Sequence, residues 1–252
     1  MPFLTVPRGR LYYEESGAGY PVLLFAPGFL SARIERWRSN PARPGVAQDW
    51  VDPIPALSPH FRVVAFDVRN AGQSRAEITS EDGWHSYTED HVALLRHLGI
   101  ARCHVMGACI GVSFAFSLAE AMPGCVSALV LQNPIGLADN RAAVQGECDR
   151  WAAQVSQWPG TDATLVAALG QRMFGGDFLF SVSRDVVAAS DIPVLLMPGD
   201  DTMHPAEVSA DIRRLSRGAE VVAPWKGAQH RGAAMARALA FLLAHRPAEA
   251  GR

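Results

Sequence analysis

The segment Met106-Gly107-Ala108-Cys109-Ile110-Gly111 is the most informative stretch of this sequence. The run 103–106 indicates a buried strand, and the apolar run 110–122 that follows indicates a buried helix. A tight turn from strand to helix strains the backbone at its centre, so the residues two positions to either side have to be small. The two glycines of the segment satisfy this requirement. The sequence therefore predicts a strand–turn–helix unit that presents the Cys109 side chain at the turn.

A cysteine at such a turn has the surroundings of an activated thiol. The positive end of a helix dipole and a nearby histidine both lower the pKa of a thiol, and they favour the nucleophilic thiolate. The turn also directs the backbone N–H of Ile110 towards the oxygen of a reacting carbonyl group. We therefore expect Cys109 to be a nucleophile and Ile110 to contribute to an oxyanion hole.

Apolar runs and helical patterns alternate along the rest of the chain. The runs that indicate further buried strands are 21–26, 61–66, 126–131, 193–197 and 220–223. Patterns typical of helices lie between or after them, for example at 87–98 and 233–245. Strands that alternate with helices form parallel βαβ units with helices on both faces of the sheet. The sequence therefore predicts the α/β fold class with a mostly parallel central sheet.

Composition and charge argue against several other classes of protein. The chain has 252 residues, of which 49% are hydrophobic and 19% charged, as expected of a folded domain with a large core. The formal net charge of -2 argues against nucleic acid or an anionic membrane as the partner. No apolar stretch reaches the length of a membrane helix, and the first ten residues do not resemble a signal peptide.

The cysteines and histidines do not show the spacing of a metal site. The four cysteines include no C-x-x-C pair, and no zinc-type pattern combines them with histidines. We expect a cytoplasmic protein that acts on a small molecule and uses neither a metal nor an organic cofactor. The sequence leaves the oligomeric state open.

A long insertion interrupts the alternation of strands and helices. Residues 134–191 lie between two strand-like runs and contain three short helical patterns with several aromatic side chains. Insertions of this length are typical of lids that cover a site. We expect residues 1–133 and 192–252 to form the core and residues 134–191 to form a helical lid. The alternative is a set of extra helices packed on the edge of the core.

Four further segments contain motif-like residues. They are Ala26-Pro27-Gly28-Phe29-Leu30, Asp67-Val68-Arg69-Asn70-Ala71-Gly72-Gln73-Ser74, Met197-Pro198-Gly199-Asp200-Asp201-Thr202-Met203-His204-Pro205 and Gly227-Ala228-Gln229-His230. Together with the cysteine turn, their order resembles that of the α/β-hydrolase superfamily over nearly the whole chain. A cysteine in place of the usual serine at the turn resembles dienelactone hydrolase. The flanking sequence and the insertion do not resemble that enzyme.

The resemblance implies a catalytic triad and an oxyanion hole. His230 falls in the connection where the family carries its general base. Asp201, four residues before a proline, falls where the acid that orients the base is expected. Asp200 is the alternative acid, and Asp139 is a more distant one. Phe29 would supply the second backbone N–H of the oxyanion hole.

The implied reaction is the hydrolysis of a small or medium ester, lactone or thioester through a covalent thioester intermediate. Three alternatives remain open. An acyltransferase or cyclase would use a nucleophile other than water to intercept the acyl-enzyme. A C–C lyase or hydrolase would need only the histidine. A ligand-binding protein would retain the fold without turnover.

Several side chains are candidates for the wall of the substrate pocket. Trp37, Trp84 and Trp151 could supply aromatic surface, although aromatic side chains belong more often to the core. Asn133 follows a strand at the edge of the sheet where the active site is expected.

Overall fold

The fold is built on a sheet whose strands come from the apolar runs of the sequence. The computed structural model describes residues 2–39, 46 and 48–248, and within them nine strands form one sheet. The strands are β1 (Phe3–Val6), β2 (Gly9–Ser16), β3 (Pro21–Phe25), β4 (Arg62–Phe66), β5 (Arg75–Ala76), β6 (Cys103–Ala108), β7 (Val126–Gln132), β8 (Val194–Met197) and β9 (Glu220–Val221). Their order in the sheet is β1-β2-β4-β3-β6-β7-β8-β9, and β5 pairs with β2.

Most of the sheet is parallel, which confirms the predicted fold class. Strands β4, β3, β6, β7, β8 and β9 pair in parallel, whereas β2 pairs antiparallel with β1, β4 and β5. The helices within the described residues are α1 (Pro53–Leu57), α2 (Trp84–His97), α3 (Ile110–Ala121), α4 (Arg141–Val155), α5 (Ala163–Phe174), α6 (Arg184–Ala189), α7 (Ala206–Leu215) and α8 (Arg231–Ala244). None of these helices is both long and apolar enough to cross a membrane.

The helices cover both faces of the sheet, as the continuous apolar runs predict. Alternate residues along a strand point to opposite faces, so each parallel strand contributes to two apolar clusters. Phe25 and Leu131 pack into the cluster that contains residues of α2 and α3. Leu24 and Val130 pack into the cluster on the other face, which contains residues of α1 and α8.

The insertion between β7 and β8 contains three helices, α4 to α6. It is docked on the core by aromatic contacts. The rings of Phe174 on α5 and Phe29 on the core stack with their centroids 3.8 Å apart. The indole N–H of Trp84 donates to the carbonyl oxygen of Met173 at 2.8 Å. The insertion therefore packs directly against the loop that follows β3.

The turn between β6 and α3 depends on two close approaches of the backbone. A Cβ atom on Gly107 would lie 2.4 Å from the carbonyl oxygen of Gly111. A Cβ atom on Gly111 would in turn lie 2.3 Å from the carbonyl oxygen of Phe25 on β3. Both distances are far below a van der Waals contact. The glycines therefore allow α3 to begin directly on top of the sheet.

We predict that Gly111→Ala lowers the free energy of unfolding by about 1–3 kcal/mol or more, because the added methyl group overpacks the contact with β3. Gly232→Ala is the matched control, since Gly232 is also the second residue of a helix and its Cβ would meet nothing within 4 Å. That substitution should leave stability unchanged or raise it by up to about 1 kcal/mol. Urea unfolding followed by circular dichroism measures both effects. Equal stability of the two variants would contradict this account of the turn.

Candidate active site

Cys109 occupies the strained centre of the turn between β6 and α3. Its backbone has φ 56° and ψ -118°, in the positive-φ region that non-glycine residues rarely adopt. Its N–H donates to the carbonyl oxygen of Gln132 at the end of β7, at 3.0 Å. The thiol is free and partly exposed, and it faces a pocket at the carboxyl ends of the parallel strands. This is the edge where open α/β sheets bind ligands.

Backbone N–H groups converge on the sulfur of Cys109. The N–H groups of Gly28 and Phe29, in the loop after β3, interact with the thiol. Both residues have positive φ angles, 127° and 58°. Ile110 is the first residue of α3, so its N–H has no acceptor within the helix. Of the two predicted oxyanion-hole residues, Phe29 therefore contacts Cys109 through its N–H, and Ile110 follows Cys109 at the start of α3.

Asp201 and His204 form a compact turn after β8. His204 Nδ1 lies 2.7 Å from the Asp201 Oδ1 oxygen. The same oxygen accepts backbone N–H bonds from Met203 and His204, each at 3.0 Å. The backbones of Asp201 and His204 also pair across the turn, with N···O distances of 3.0 and 3.3 Å. The carboxylate thus fixes both the fold of the turn and the orientation of the imidazole ring.

The turn requires a glycine at its base. A Cβ atom on Gly199 would lie 2.3 Å from the carbonyl oxygen of His204. The N–H of Gly199 donates to Ser209 Oγ on α7 at 2.9 Å. On the other side, the Asn140 side chain donates to the carbonyl oxygen of Thr202 at 2.8 Å. Contacts from α7 and from the insertion therefore hold the turn in place.

The second ring nitrogen of His204, Nε2, is buried and makes no hydrogen bond of ordinary geometry. The ring is nevertheless close enough to Cys109 for the two groups to shift each other's pKa. Burial alone would lower the pKa of His204, but the charge of Cys109, the hydrogen bond to Asp201 and the polar contact with the Cys109 thiol raise it to about 9. Loose catalytic hydrogen bonds are common in sites without substrate.

The electrostatics favour a thiolate–imidazolium pair. Burial alone would raise the pKa of the Cys109 thiol. The positive charge of His204, its hydrogen bond and the N–H groups of Gly28 and Phe29 outweigh that effect and hold the pKa below its ordinary value. The hydrogen bond from His204 is also the largest cause that lowers the pKa of Asp201, followed among the lowering effects by the charge of His204 and that of Lys226. These shifts favour a cationic His204 between the Asp201 carboxylate and the Cys109 sulfur.

His230, the base expected from the sequence, is not placed beside Cys109. It is the residue that precedes α8, and it does not line the pocket. Its loop bonds instead to the backbone of the pocket wall. The Gly227 N–H donates to the carbonyl oxygen of Asp49 at 2.8 Å, and the Arg231 guanidinium donates to that of Gln48 at 2.6 Å. The loop therefore anchors the pocket wall, and the position expected for the His230 ring is filled by His204.

The two competing aspartates have different surroundings. Asp201 contacts His204, as described above, whereas Asp200 points outwards and pairs with Lys226. Lys226 Nζ lies 3.8 Å from the Asp201 Oδ2 oxygen. Asp139, the distant third candidate, does not line the pocket.

The pocket has a volume of about 290 Å³, and most of the residues that line it are polar or charged. Asn133 lines it, as expected from its position after β7. Trp37, Trp84 and Trp151 do not: Trp37 is fully buried in the core, Trp84 packs on α3 and α5, and Trp151 is buried within the insertion. The wall instead includes Arg36, Gln48, Asp49, Trp50, Gln132 and Lys226.

His204 is the histidine beside Cys109, and the sequence alone did not single it out. The segment Asp201-Thr202-Met203-His204 contains a usable signal, because an aspartate three residues before a histidine can accept from its ring within one turn. The presence of a second histidine in the expected connection obscures this signal.

A second pair of serine and histidine lies at the opposite end of the sheet. Ser127 Oγ is 3.0 Å from His104 Nδ1. The hydroxyl also bonds to the Cys103 carbonyl oxygen at 2.9 Å and to the Tyr20 hydroxyl at 2.8 Å. Burial lowers the pKa of His104 to about 4. This partly buried cluster lies at the amino-terminal ends of β6 and β7, away from the pocket of Cys109, and has the character of a structural network.

Among the residues that the structure describes, no cluster of three or more histidine, cysteine or carboxylate side chains could hold a metal ion. The candidate site brings together a thiol, an imidazole, a carboxylate and backbone N–H groups.

Comparison with known proteins adds a family context. Residues 21–186 match the family described as alpha/beta hydrolase fold. A relative named "Putative carbamate hydrolase RutD" from Agrobacterium fabrum is 29% identical over 123 residues, which cover 49% of this chain and 46% of that protein. The chain therefore matches about half the length of this relative.

Solved structures match over nearly the full length. A hydrolase from Pseudomonas aeruginosa has a TM-score of 0.68 and 22% identity, and the match covers 95% of this chain and 97% of that one. The alpha/beta hydrolase enzyme MGS-M2, from a Medee basin deep-sea metagenome library, has a TM-score of 0.70 and 15% identity, with 99% of both chains covered. At these identities the similarity concerns the fold.

We predict that iodoacetamide modifies Cys109 faster than the other cysteines, and that the rate at Cys109 rises less between pH 7 and pH 8 than the rate of an ordinary thiol. The pKa of Cys109 is lowered and that of His204 is raised to about 9, and both shifts favour the reactive thiolate. The rate of an ordinary thiol, with a pKa of about 8.5, would still rise over this interval. Peptide mass spectrometry of quenched samples measures the rate at each cysteine.

His204→Ala should slow this labelling at neutral pH by about tenfold or more, because the thiolate loses its counter-ion. His230→Ala is the matched control and should label at the wild-type rate. If His230→Ala slowed the labelling and His204→Ala did not, His230 would be the partner of Cys109.

A further pair of variants separates the two aspartates. Asp201→Asn should lower the pKa of His204, because the ring loses its carboxylate partner, and should reduce any turnover through Cys109 by about a hundredfold or more. Asp200→Asn removes only an outward pairing with Lys226 and should retain most activity. NMR titration of the His204 ring protons measures the pKa directly, and an unchanged value in Asp201→Asn would contradict the assignment.

Proposed function

Because the chain belongs to the α/β-hydrolase family, we propose that it hydrolyses a small ester, lactone or thioester through a thioester formed on Cys109. The observation that carries the proposal is the contact series Asp201–His204–Cys109, together with two backbone N–H groups directed at the sulfur. In this proposal His204 is the general base and acid, and Asp201 is the residue that orients it.

In the first half of the reaction, the Cys109 thiolate adds to the carbonyl carbon of the substrate. The carbonyl π electrons move to the oxygen, which the N–H groups of Phe29 and Ile110 stabilise. When the carbonyl re-forms, the bond to the leaving group breaks, and the His204 imidazolium donates its Nε2 proton to the departing oxygen or sulfur. The products are an alcohol or thiol and a thioester on Cys109.

In the second half, neutral His204 accepts a proton from a water molecule as the water oxygen adds to the thioester carbonyl. The carbon–sulfur bond then breaks and returns the electron pair to Cys109. A carboxylic acid leaves, and the thiolate–imidazolium pair is restored. Asp201 remains ionised throughout, because its role is to accept the hydrogen bond from Nδ1–H and to stabilise the cationic ring.

The backbone N–H groups have a quantitative role in this scheme. Losing one oxyanion donor raises the barrier of such reactions by about 3–4 kcal/mol, or a few hundredfold in rate. The positive φ angles of Gly28, Phe29 and Cys109 are consistent with this role, since strained backbone commonly persists where it orients reacting groups.

The relatives support a hydrolytic reaction without identifying the substrate. Names among them include carbamate hydrolase and, for a protein of Corynebacterium, soluble epoxide hydrolase. A thiol nucleophile also has to stay reduced, so the proposal places the protein in a reducing compartment such as the cytoplasm.

The test is mass spectrometry of the intact protein during exposure to 4-nitrophenyl acetate. We predict a transient acetyl adduct on Cys109, with release of acetate at the rate at which the adduct decays. Cys109→Ala should show no adduct and a loss of hydrolysis of about a hundredfold or more. Cys148→Ala, which removes a thiol buried in the insertion, should behave as wild type.

Full hydrolysis by Cys109→Ala would contradict the proposal and would favour a mechanism in which only His204 acts. A stable adduct that decays only when an amine or alcohol is added would replace hydrolysis with acyl transfer.

A further inference from the structure

The pocket beside Cys109 contains an arginine with unused hydrogen-bond donors. Arg36 lies in the short 3-10 turn Ile34–Trp37, which follows the loop of Gly28 and Phe29. It lines the same pocket as Cys109. Its Nε atom is buried and has no hydrogen-bond partner. Among the residues that the structure describes, its guanidinium forms no ion pair. A half-buried cation without a partner is costly, because the protein does not replace the water it loses.

The two glutamates whose charges act on Arg36 pair with other groups. Glu35 pairs with Arg33 at 3.1 Å and accepts from Ser39 at 3.2 Å. Glu147, on the insertion, pairs with Arg150. Burial is the largest cause of the lowered pKa of Arg36, followed by the charge of Arg33. The two glutamates and Cys109 act in the opposite direction, through their charges alone.

The other charged groups of the pocket have partners as well. Lys226 pairs with Asp200 and lies 3.8 Å from Asp201. His204 is bonded to Asp201, and Asp49 has an interaction of its own. Within the described part of the chain, Arg36 is therefore the cation of the pocket wall that has no carboxylate partner.

Arg36 and Cys109 both lie close to Gly28, in the loop after β3. The N–H of Gly28 is directed at the Cys109 sulfur. The position that a Cβ atom of Gly28 would occupy is 3.3 Å from Cγ and Nε of Arg36. A molecule whose carbonyl carbon is attacked by Cys109 would therefore reach the guanidinium with only a short linker. The pocket volume of about 290 Å³ also limits the substrate to a small molecule.

We propose that Arg36 binds a carboxylate of the substrate, so that the preferred substrates are small esters, lactones or thioesters with a carboxylate a few bonds from the scissile carbonyl. The inference rests on the proposed function and specifies its substrate class. The planar guanidinium matches a carboxylate with two parallel hydrogen bonds. A monoanion matches the charge of one guanidinium, whereas a dianionic phosphate would be repelled by the carboxylates of Asp49 and Asp201 on the same wall.

The first experiment does not depend on ester hydrolysis. Iodoacetate and iodoacetamide alkylate a thiolate by the same displacement of iodide, but only iodoacetate carries a carboxylate. We expect Arg36→Gln to lower the ratio of the iodoacetate rate to the iodoacetamide rate at Cys109 by about tenfold to a hundredfold. Any effect of Arg36 on the thiolate itself changes both rates and cancels in the ratio.

Two controls accompany this measurement. Arg36→Lys keeps the positive charge but loses the planar guanidinium group. Its rate ratio should therefore lie between those of wild type and Arg36→Gln. Arg38→Gln removes an exposed arginine that pairs with Asp52 and Glu14, and it should leave the ratio at the wild-type value. An unchanged ratio in Arg36→Gln would overturn the inference.

The second experiment compares two activated esters of equal chain length, 4-nitrophenyl hydrogen glutarate and 4-nitrophenyl valerate. We expect wild type to favour the glutarate ester in kcat/KM by about tenfold or more, and Arg36→Gln to lose this preference mainly through KM. Rates for Cys109→Ala give the background hydrolysis of both esters.

The outcomes separate the two proposals. Hydrolysis of both esters through Cys109 without preference would overturn the substrate class and leave the proposed function standing. If Arg36→Gln lowers the alkylation ratio as expected but neither ester is hydrolysed, the proposed function is overturned. Arg36 then keeps an anion-binding role.

Discussion

The candidate site depends on the close packing of α3 on the sheet at the turn after β6. Gly107 and Gly111 allow the first turn of α3 to meet β3 and β6 at distances that no side chain could accommodate. Cys109 lies between them with a positive φ angle, a conformation that costs about 1–3 kcal/mol and persists only where the surrounding structure enforces it. The same packing brings Cys109 next to the loop of Gly28 and Phe29, which follows β3. A single backbone constraint therefore produces the exposed thiol and the two converging N–H groups.

The charges around this thiol are arranged so that each group stabilises the next. The sulfur is close to a cationic imidazole, which is in turn held by a carboxylate with several hydrogen bonds. Lys226 contributes a further positive charge near Asp201. Because the pocket is only partly open to water, these interactions are screened less than on the surface. The ionised state of the thiol is thus a property of the whole group of side chains.

The part of the site that could be predicted from the sequence is the part fixed by local geometry. Cys109 follows from the pair of glycines around it, and Asp201 from its position after a strand and before a proline. The histidine is harder to predict, because two histidines follow the last strands and the side-chain direction of each depends on tertiary contacts. His230 lies in a loop that bonds to the backbone of residues 48 and 49, an interaction between distant segments of the chain that no local pattern reveals.

The pocket wall is the least predictable part. Trp37, Trp84 and Trp151 are apolar enough to be buried, and composition cannot distinguish a core tryptophan from one that lines a cavity. Arg36 belongs to a segment without regular periodicity. Its lack of a carboxylate partner depends on the pairing of other side chains, which the sequence does not reveal. The fold, by contrast, follows from the alternation of apolar runs, since strands buried on both faces have few other environments available.

The turn from Asp201 to His204 has a consequence for how such a site can be inherited. When acid and base lie on separate loops, their alignment requires two distant parts of a chain to keep the same relative position. Here one tetrapeptide carries both groups, and their mutual geometry is set by its own backbone bonds. The long-range alignment that remains is between the ends of β6 and β8, which are separated in the sheet by β7 alone. The segment after β9 then contributes a positive charge, from Lys226, and contacts with the pocket wall, but it does not have to supply the histidine.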